Sequence, residues 1–178
     1  MGLGDAAMIV LDKILINNIH FSQLDISKNY VSNSGIKVIA NCLKYCNNSL
    51  VHINIGGNNI QPEGAQYFFR SLYDHPSLVS LDMANNDCFN NKLKIGCKGA
   101  ESLCNMLKSP NCLISHLDLT DNALTVDALN LILEGARVCM NLISLNLTQN
   151  DIGLNNPTYA HLLTLLKSSK TLLELNLA

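Results

Sequence analysis

The 178-residue chain has no tryptophan, and only 5% of its residues are aromatic, so it is poor in the side chains that most often anchor tight interfaces. It has no excess of positive charge: 12 Lys and Arg stand against 14 Asp and Glu, a formal charge of −2. Counterion-releasing contact with nucleic acid or anionic lipid draws on a basic excess, so neither nucleic acid nor a membrane is expected as a partner. No run approaches the ~18–20 consecutive apolar residues of a membrane span. Met1 to Ala7 carry no basic n-region, so no secretory signal is expected, and Ala6 stands where a myristoylation pattern needs Ser or Thr.

The seven cysteines, at 42, 46, 88, 97, 104, 112 and 139, form no C-x-x-C pair. That excludes a zinc knuckle and a thioredoxin-type motif, and an odd number cannot all pair within one chain. Cys42 and Cys46 could share a helix face, but no second ligand pair follows. Free cysteines that serve as small apolar side chains imply a reducing compartment, and a cytoplasmic location is expected.

What the chain does have is apolar content, 48% against 15% charged, enough for one folded domain. It also has a repeat. The pattern apolar-x-x-apolar-x-apolar-x-x-Asn-x-apolar fits Phe21-Leu24-Ile26-Asn29-Val31 and Leu50-Ile53-Ile55-Asn58-Ile60. It fits again at Leu78-Leu81-Met83-Asn86-Cys88, Ile114-Leu117-Leu119-Asn122-Leu124 and Leu142-Leu145-Leu147-Asn150-Ile152. A sixth copy opens with Leu172-Leu175-Leu177, and successive starts lie 29, 28, 36, 28 and 30 residues apart. Helical periodicity follows each asparagine, as in Ile36-Ile39-Ala40-Leu43, Ala65-Phe68-Phe69-Leu72 and Ala100-Leu103-Cys104-Leu107. The fourth and fifth stripes read Leu129-Ile132-Leu133-Ala136 and Tyr159-Leu162-Leu163-Leu166. Gly35, Gly64 and Gly99 precede the first three stripes by one residue, where small size permits close packing.

These motifs resemble the leucine-rich repeat over essentially the whole chain, and the 28–30 residue period with a helix between strands is similar to the ribonuclease-inhibitor subclass. The resemblance implies an α/β, right-handed solenoid, or horseshoe, with one parallel sheet on the concave face and helices on the convex face. A single repeat cannot bury enough surface to offset the entropy of ordering it, so each copy depends on its neighbours. The asparagine amide, both donor and acceptor, suits the point where the chain leaves the strand. One domain, 1–178, is expected as a fragment of a longer array: a helix of a partial repeat at 5–17 with Ala6, Ile9, Val10 and Ile14 at helical spacing, repeats starting near 21, 50, 78, 114 and 142, and a partial repeat at 172–178. The terminal strand, with an unpaired edge, offers end-to-end self-association.

In this fold the positions between the core residues of each strand form the concave surface. One column reads Asp25, Asn54, Asp82, Asp118, Asn146, Asn176, and another Gln23, His52, Ser80, His116, Ser144, Glu174. The following turn contributes Lys28, Asn85, Asp121 and Gln149. Asp25, His52, Asn54, Asp82, His116, Asp118, Asp121 and Asn146 are therefore the candidate partner-binding residues, on a polar, mildly acidic surface suited to a partner with basic character. The third repeat is longer by eight residues, and Phe89, Lys92 and Lys94 in the added segment are candidate loop contacts, because repeat insertions map to loops beside the binding face.

No metal site and no cofactor are expected. His52 and His116 lie two strands apart, about 9–10 Å at ~4.8 Å per strand. A Ser80–His116–Asp118 or Asp82 triad would need a nucleophile–base contact near ~3 Å and an oxyanion hole, which regular parallel strands do not supply. The expected role is a non-enzymatic, intracellular protein-interaction module whose partner is another protein. What the resemblance implies as alternatives is a regulator like the Ran GTPase-activating protein, or the ligand-sensing repeat region of an immune-type receptor.

Overall fold

The computed structural model describes residues 2–16, 18–45, 49–90, 97–150 and 156–177. Strand and helix alternate through the chain. The order is α1 (Gly4–Leu15), β1 (Gln23–Asp25), α2 (Asn33–Tyr45), β2 (His52–Asn54), α3 (Pro62–Ser71) and β3 (Ser80–Asp82). It continues with α4 (Cys97–Lys108), β4 (His116–Asp118), α5 (Val126–Val138), β5 (Ser144–Asn146), α6 (Asn156–Ser168) and β6 (Glu174–Asn176). The strands form one parallel sheet in sequence order, and among the described residues each helix contacts only the helices next to it in sequence. Register is uniform: Leu24, Ile53, Leu81, Leu117, Leu145 and Leu175 stand side by side. This is the α/β leucine-rich-repeat solenoid, a parallel sheet covered by helices on one face only, unlike most parallel sheets.

Three-residue strands follow from local chemistry. At the end of β1 to β5, an Asp or Asn side chain turns back to accept a hydrogen bond from the main-chain N–H two residues on. The pairs are Asp25 with Ser27 at 2.9 Å, Asn54 with Gly56 at 2.9 Å, Asp82 with Ala84 at 2.9 Å, Asp118 with Thr120 at 2.8 Å and Asn146 with Thr148 at 3.1 Å. Such Asx turns compete with ladder pairing and end the strand. The chain then enters the left-handed region at Lys28, Gly57, Asn85, Asp121 and Gln149, with φ between 49° and 65°. At Gly57 a Cβ would also meet Lys28 Cγ at 2.8 Å, so both backbone and space favour glycine there.

The asparagine column comes next and joins the repeats. Asn58 Oδ1 accepts from the Asn29 and Val31 amides at 3.0 and 2.9 Å, while its Nδ2 donates to the Ile26 and Ile55 carbonyls at 3.0 and 2.9 Å. Asn86, Asn122 and Asn150 repeat the arrangement: each donates to a carbonyl of its own repeat and to one of the preceding repeat. Asn29 accepts from the Leu3 amide at 3.2 Å, so α1 is tied in by the same device. The five asparagines therefore stand in one row.

The core lies between sheet and helices. The strand residues Leu24, Ile53, Leu81, Leu117 and Leu145, the second row Ile26, Ile55, Met83, Leu119 and Leu147, and the stripes of α2 to α5 are all buried. Gly35, Gly64 and Gly99 are buried as the close-packing reading requires. Gly135 does the same for α5, where a Cβ would sit 2.9 Å from Cys104 Cα, and the repeat pattern alone did not mark it.

The structure corrects two helical frames. In α1 the buried residues are Met8 and Leu15, with Ala7 and Leu11 packed beside them, whereas Ile9, Val10 and Ile14 face outward. The helix is amphipathic in a frame rotated from the one read off the sequence, because its apolar residues outnumber the single face it can bury. In α6, Leu162 and Leu165 are buried, while Tyr159, Leu163 and Leu166 are exposed.

Candidate functional site

The Asp/Asn column and the Gln/His/Ser column run across the concave face in register, because every strand pairs with the next without a slip. In the stretch spanned by β3 to β6 they border a depression of about 270 Å³ lined by Asp82, His116, Asp118, Asn146, Ser80 and Glu174, among others. Four of the candidates, Asp82, His116, Asp118 and Asn146, thus come together. Asp25, His52 and Asn54 lie on the same two rows on the β1–β2 side. Asp121 sits apart, exposed at the left-handed exit position with its amide bonded to the Thr148 carbonyl at 3.0 Å. Ser80 and Glu174 complete the depression. Both belong to the column that supplied His52 and His116, so the column itself carried the signal.

Within the depression, Asp118 Oδ2 accepts from Asn146 Nδ2 at 3.0 Å, and Ser144 Oγ donates to Glu174 Oε2 at 2.9 Å. Ser115 Oγ lies 2.7 Å from His116 Nδ1, which anchors the imidazole to its own strand. Asp82 stands between Asn54 on β2 and, on β4, Asp118, a second carboxylate. Burial first, then the proximity of Asp118 and Asp25, pushes the Asp82 carboxyl above its ordinary pKa, opposed by the bond from the Ala84 amide. Asp25 is the opposite case, held below the usual range by hydrogen bonds from Ser27 and by Lys28 nearby. Among the described residues the one ion pair is Lys108–Glu134, on the helices, so Asp82 and Asp118 face each other without a cation of their own.

The loop reading needs correction. Phe89 is fully buried, its ring stacked on Phe69 at 6.3 Å and 11°, so it fills the core between α3 and α4 and contacts no partner. A large apolar side chain at the start of an insertion finds the adjacent core before it finds solvent. Lys92 and Lys94 lie outside the described residues.

Other chemistry is sparse. Among the described residues no group of three His, Cys, Asp or Glu side chains is placed to hold a metal ion, and no helix is long and apolar enough to cross a membrane. Five of the six described cysteines are buried. Cys112 and Cys139 share a hydrogen bond between adjacent turns, which holds Cys139 below the usual thiol range and pushes Cys112 above it.

The fold and its polar inner face define a class, a solenoid that presents an open sheet for docking. A family model described as "Leucine Rich repeat" matches residues 17–40, 46–69 and 138–155. These segments carry leucine-rich repeats, and the solenoid repeats the same strand-helix unit along the described chain. Human NACHT, LRR and PYD domains-containing protein 14 is 29% identical over 165 residues, covering 92% of this chain and 14% of that protein. Mouse NACHT, LRR and PYD domains-containing protein 4E is 28% identical over 140 residues, covering 79% of this chain and 14% of that one. The chain thus spans about one-seventh of these relatives' length. Among solved structures, Leiomodin-1 Actin-Binding Site 2 shares the fold with a TM-score of 0.54 at 12% identity, over 97% of this chain and 78% of that one. Repeats and relatives together make the chain a protein-interaction module.

Proposed function

We propose that the chain docks a basic segment of a protein partner on its concave face, centred on Asp82, His116, Asp118 and Asn146 and extending along the rows to Asp25, His52 and Asn54. The observation that carries this reading is the facing pair Asp82 and Asp118 in a depression with no cation of the chain's own. A Lys or Arg side chain entering there would relieve the repulsion between them and form charge-assisted hydrogen bonds. Asp121, exposed just past the exit of β4, and Lys92 and Lys94 of the third-repeat insertion would act at the rim, where charge steers encounter more than it adds affinity. The role is non-catalytic, it needs no cofactor, and its setting is the cytoplasm. The repeat period and interposed helices support a ribonuclease-inhibitor-like subclass.

A second reading concerns the larger setting. The relatives' names join such repeats to NACHT and PYD domains, which favours the ligand-sensing repeat region of an immune-type receptor over a GTPase-activating regulator. The test of the docking surface is capture of partners from cell extract by the immobilised chain and by its Asp82→Lys/Asp118→Lys variant, with circular dichroism confirming that the variant is folded. Loss of the captured protein in the variant, and its elution by salt from the parent, are expected. Undiminished capture by the folded variant sinks the concave-face reading.

A further inference from the structure

The helices carry a second charge pattern, opposite in sign to that of the sheet. Each has a basic residue in its last turn: Lys13, Lys44, Arg70, Lys108, Arg137 and Lys167 on α1 to α6. A cation at a helix C-terminus complements the helix dipole, and that explains each of them taken singly. It does not explain the groove of about 780 Å³ that opens where α2, α3 and α4 end, with Lys44, Arg70 and Lys108 in its walls. Of these three, Lys108 is bonded to Glu134 at 2.6 Å, while Lys44 and Arg70 form no ion pair with any described residue. The remaining carboxylate of the groove, Asp74, accepts a hydrogen bond from Ser109 Oγ. Tyr73, Asn105 and Ser102 add hydrogen-bonding groups to the wall, and Pro76 adds an apolar patch.

We infer that this groove binds an acidic peptide segment in polyproline II conformation, with carboxylates on every third residue. Spacing selects a peptide over a small anion. Neighbouring packed helices are about 8–10 Å apart, so cations from three successive helices form a ladder with rungs at roughly that interval. A polyproline II chain has three residues per turn and rises about 3.1 Å per residue, which brings side chains at i, i+3 and i+6 to one face at successive rungs. A single phosphate cannot bridge them. The groove and the concave face lie on different surfaces, so the chain offers an acidic partner segment and a basic one separate seats.

The test uses the full chain and two labelled nonapeptides of equal charge in a Gly/Ser background, one with Glu at positions 1, 4 and 7 and one with Glu at 1, 2 and 3. Fluorescence anisotropy at low salt is expected to show at least tenfold tighter binding of the spaced peptide. Lys44→Glu/Arg70→Glu should weaken that binding tenfold or more. Asp74→Asn, which keeps an acceptor for Ser109 and removes a negative charge, should tighten it. All these side chains are exposed, so the variants are expected to fold, and circular dichroism checks it. Equal affinity for the two peptides, no measurable binding, or indifference to the Lys44/Arg70 change each overturns the inference. Asp82→Asn/Asp118→Asn should leave peptide binding unchanged, so this outcome is independent of the concave-face reading.

Discussion

Asn122 is fully buried and its amide serves two repeats at once, donating to the Met83 and Thr120 carbonyls at 2.8 and 3.0 Å while its oxygen accepts from Cys88 N at 3.4 Å. Asn122→Ala leaves those main-chain groups without partners away from water, and is expected to lower stability by about 2–3 kcal/mol in denaturant titration. Asp82 carries the reverse lesson. Its pKa is raised in the fold, so between the unfolded and the higher folded value the native state holds the extra proton. Stability therefore falls as pH rises through that window, and the whole cost is present above it. Asn at this position would keep the acceptor for the Ala84 amide and could donate to Asp118 as Asn146 does. Asp82→Asn is expected to stabilise by about 0.2–1 kcal/mol at neutral pH, the size of a cross-strand charge effect. The gain should vanish below the ordinary carboxylate pKa, and melting curves at the two pH values distinguish the outcomes. A residue that costs stability where it stands is consistent with one retained for binding.

At the scale of elements, the joint between α3 and α4 is where the longer third repeat is absorbed. Phe68, Phe69 and Phe89 form a tilted and a stacked pair there, each with centroids 6.3 Å apart. Phe89→Ala is expected to cost about 3–5 kcal/mol by opening a cavity, a loss read by chemical denaturation. Partner affinity measured on the fraction that remains folded should not change, because the ring never reaches the surface. The periodicity of α2 to α5 identified their buried stripes residue by residue, since each is flanked by repeats on both sides and has one face to bury. It misassigned α1 and α6. Those helices have a neighbour on one side, Leu163 and Leu166 stay exposed on α6, and a count of apolar spacings does not say which of two apolar faces finds a neighbour.

For the molecule as a whole, stability spreads along one axis, each repeat resting on the next. Amides of β3 and β4, with paired strands and buried stripes on both sides, are expected to show the slowest hydrogen exchange. Those of β6, whose Leu175 is only half-buried, should exchange fastest. Uniform exchange across the sheet would mean that the array opens as one unit. Charge is distributed on the same scale: carboxylates collect on the sheet, cations at the helix ends, and a net charge of −2 conceals both.

The sequence by itself determined the repeat, the strand core, the asparagine row and the columns of the inner face. These are periodic, and a stacked architecture converts sequence period directly into spatial neighbourhood. Only the tertiary structure decided that Asp82 meets Asp118 without a cation, that Phe89 turns into the core, and that the ends of α2, α3 and α4 enclose a groove. Each of these depends on what the adjacent turn of the solenoid presents, and contact across turns is set by packing rather than by period.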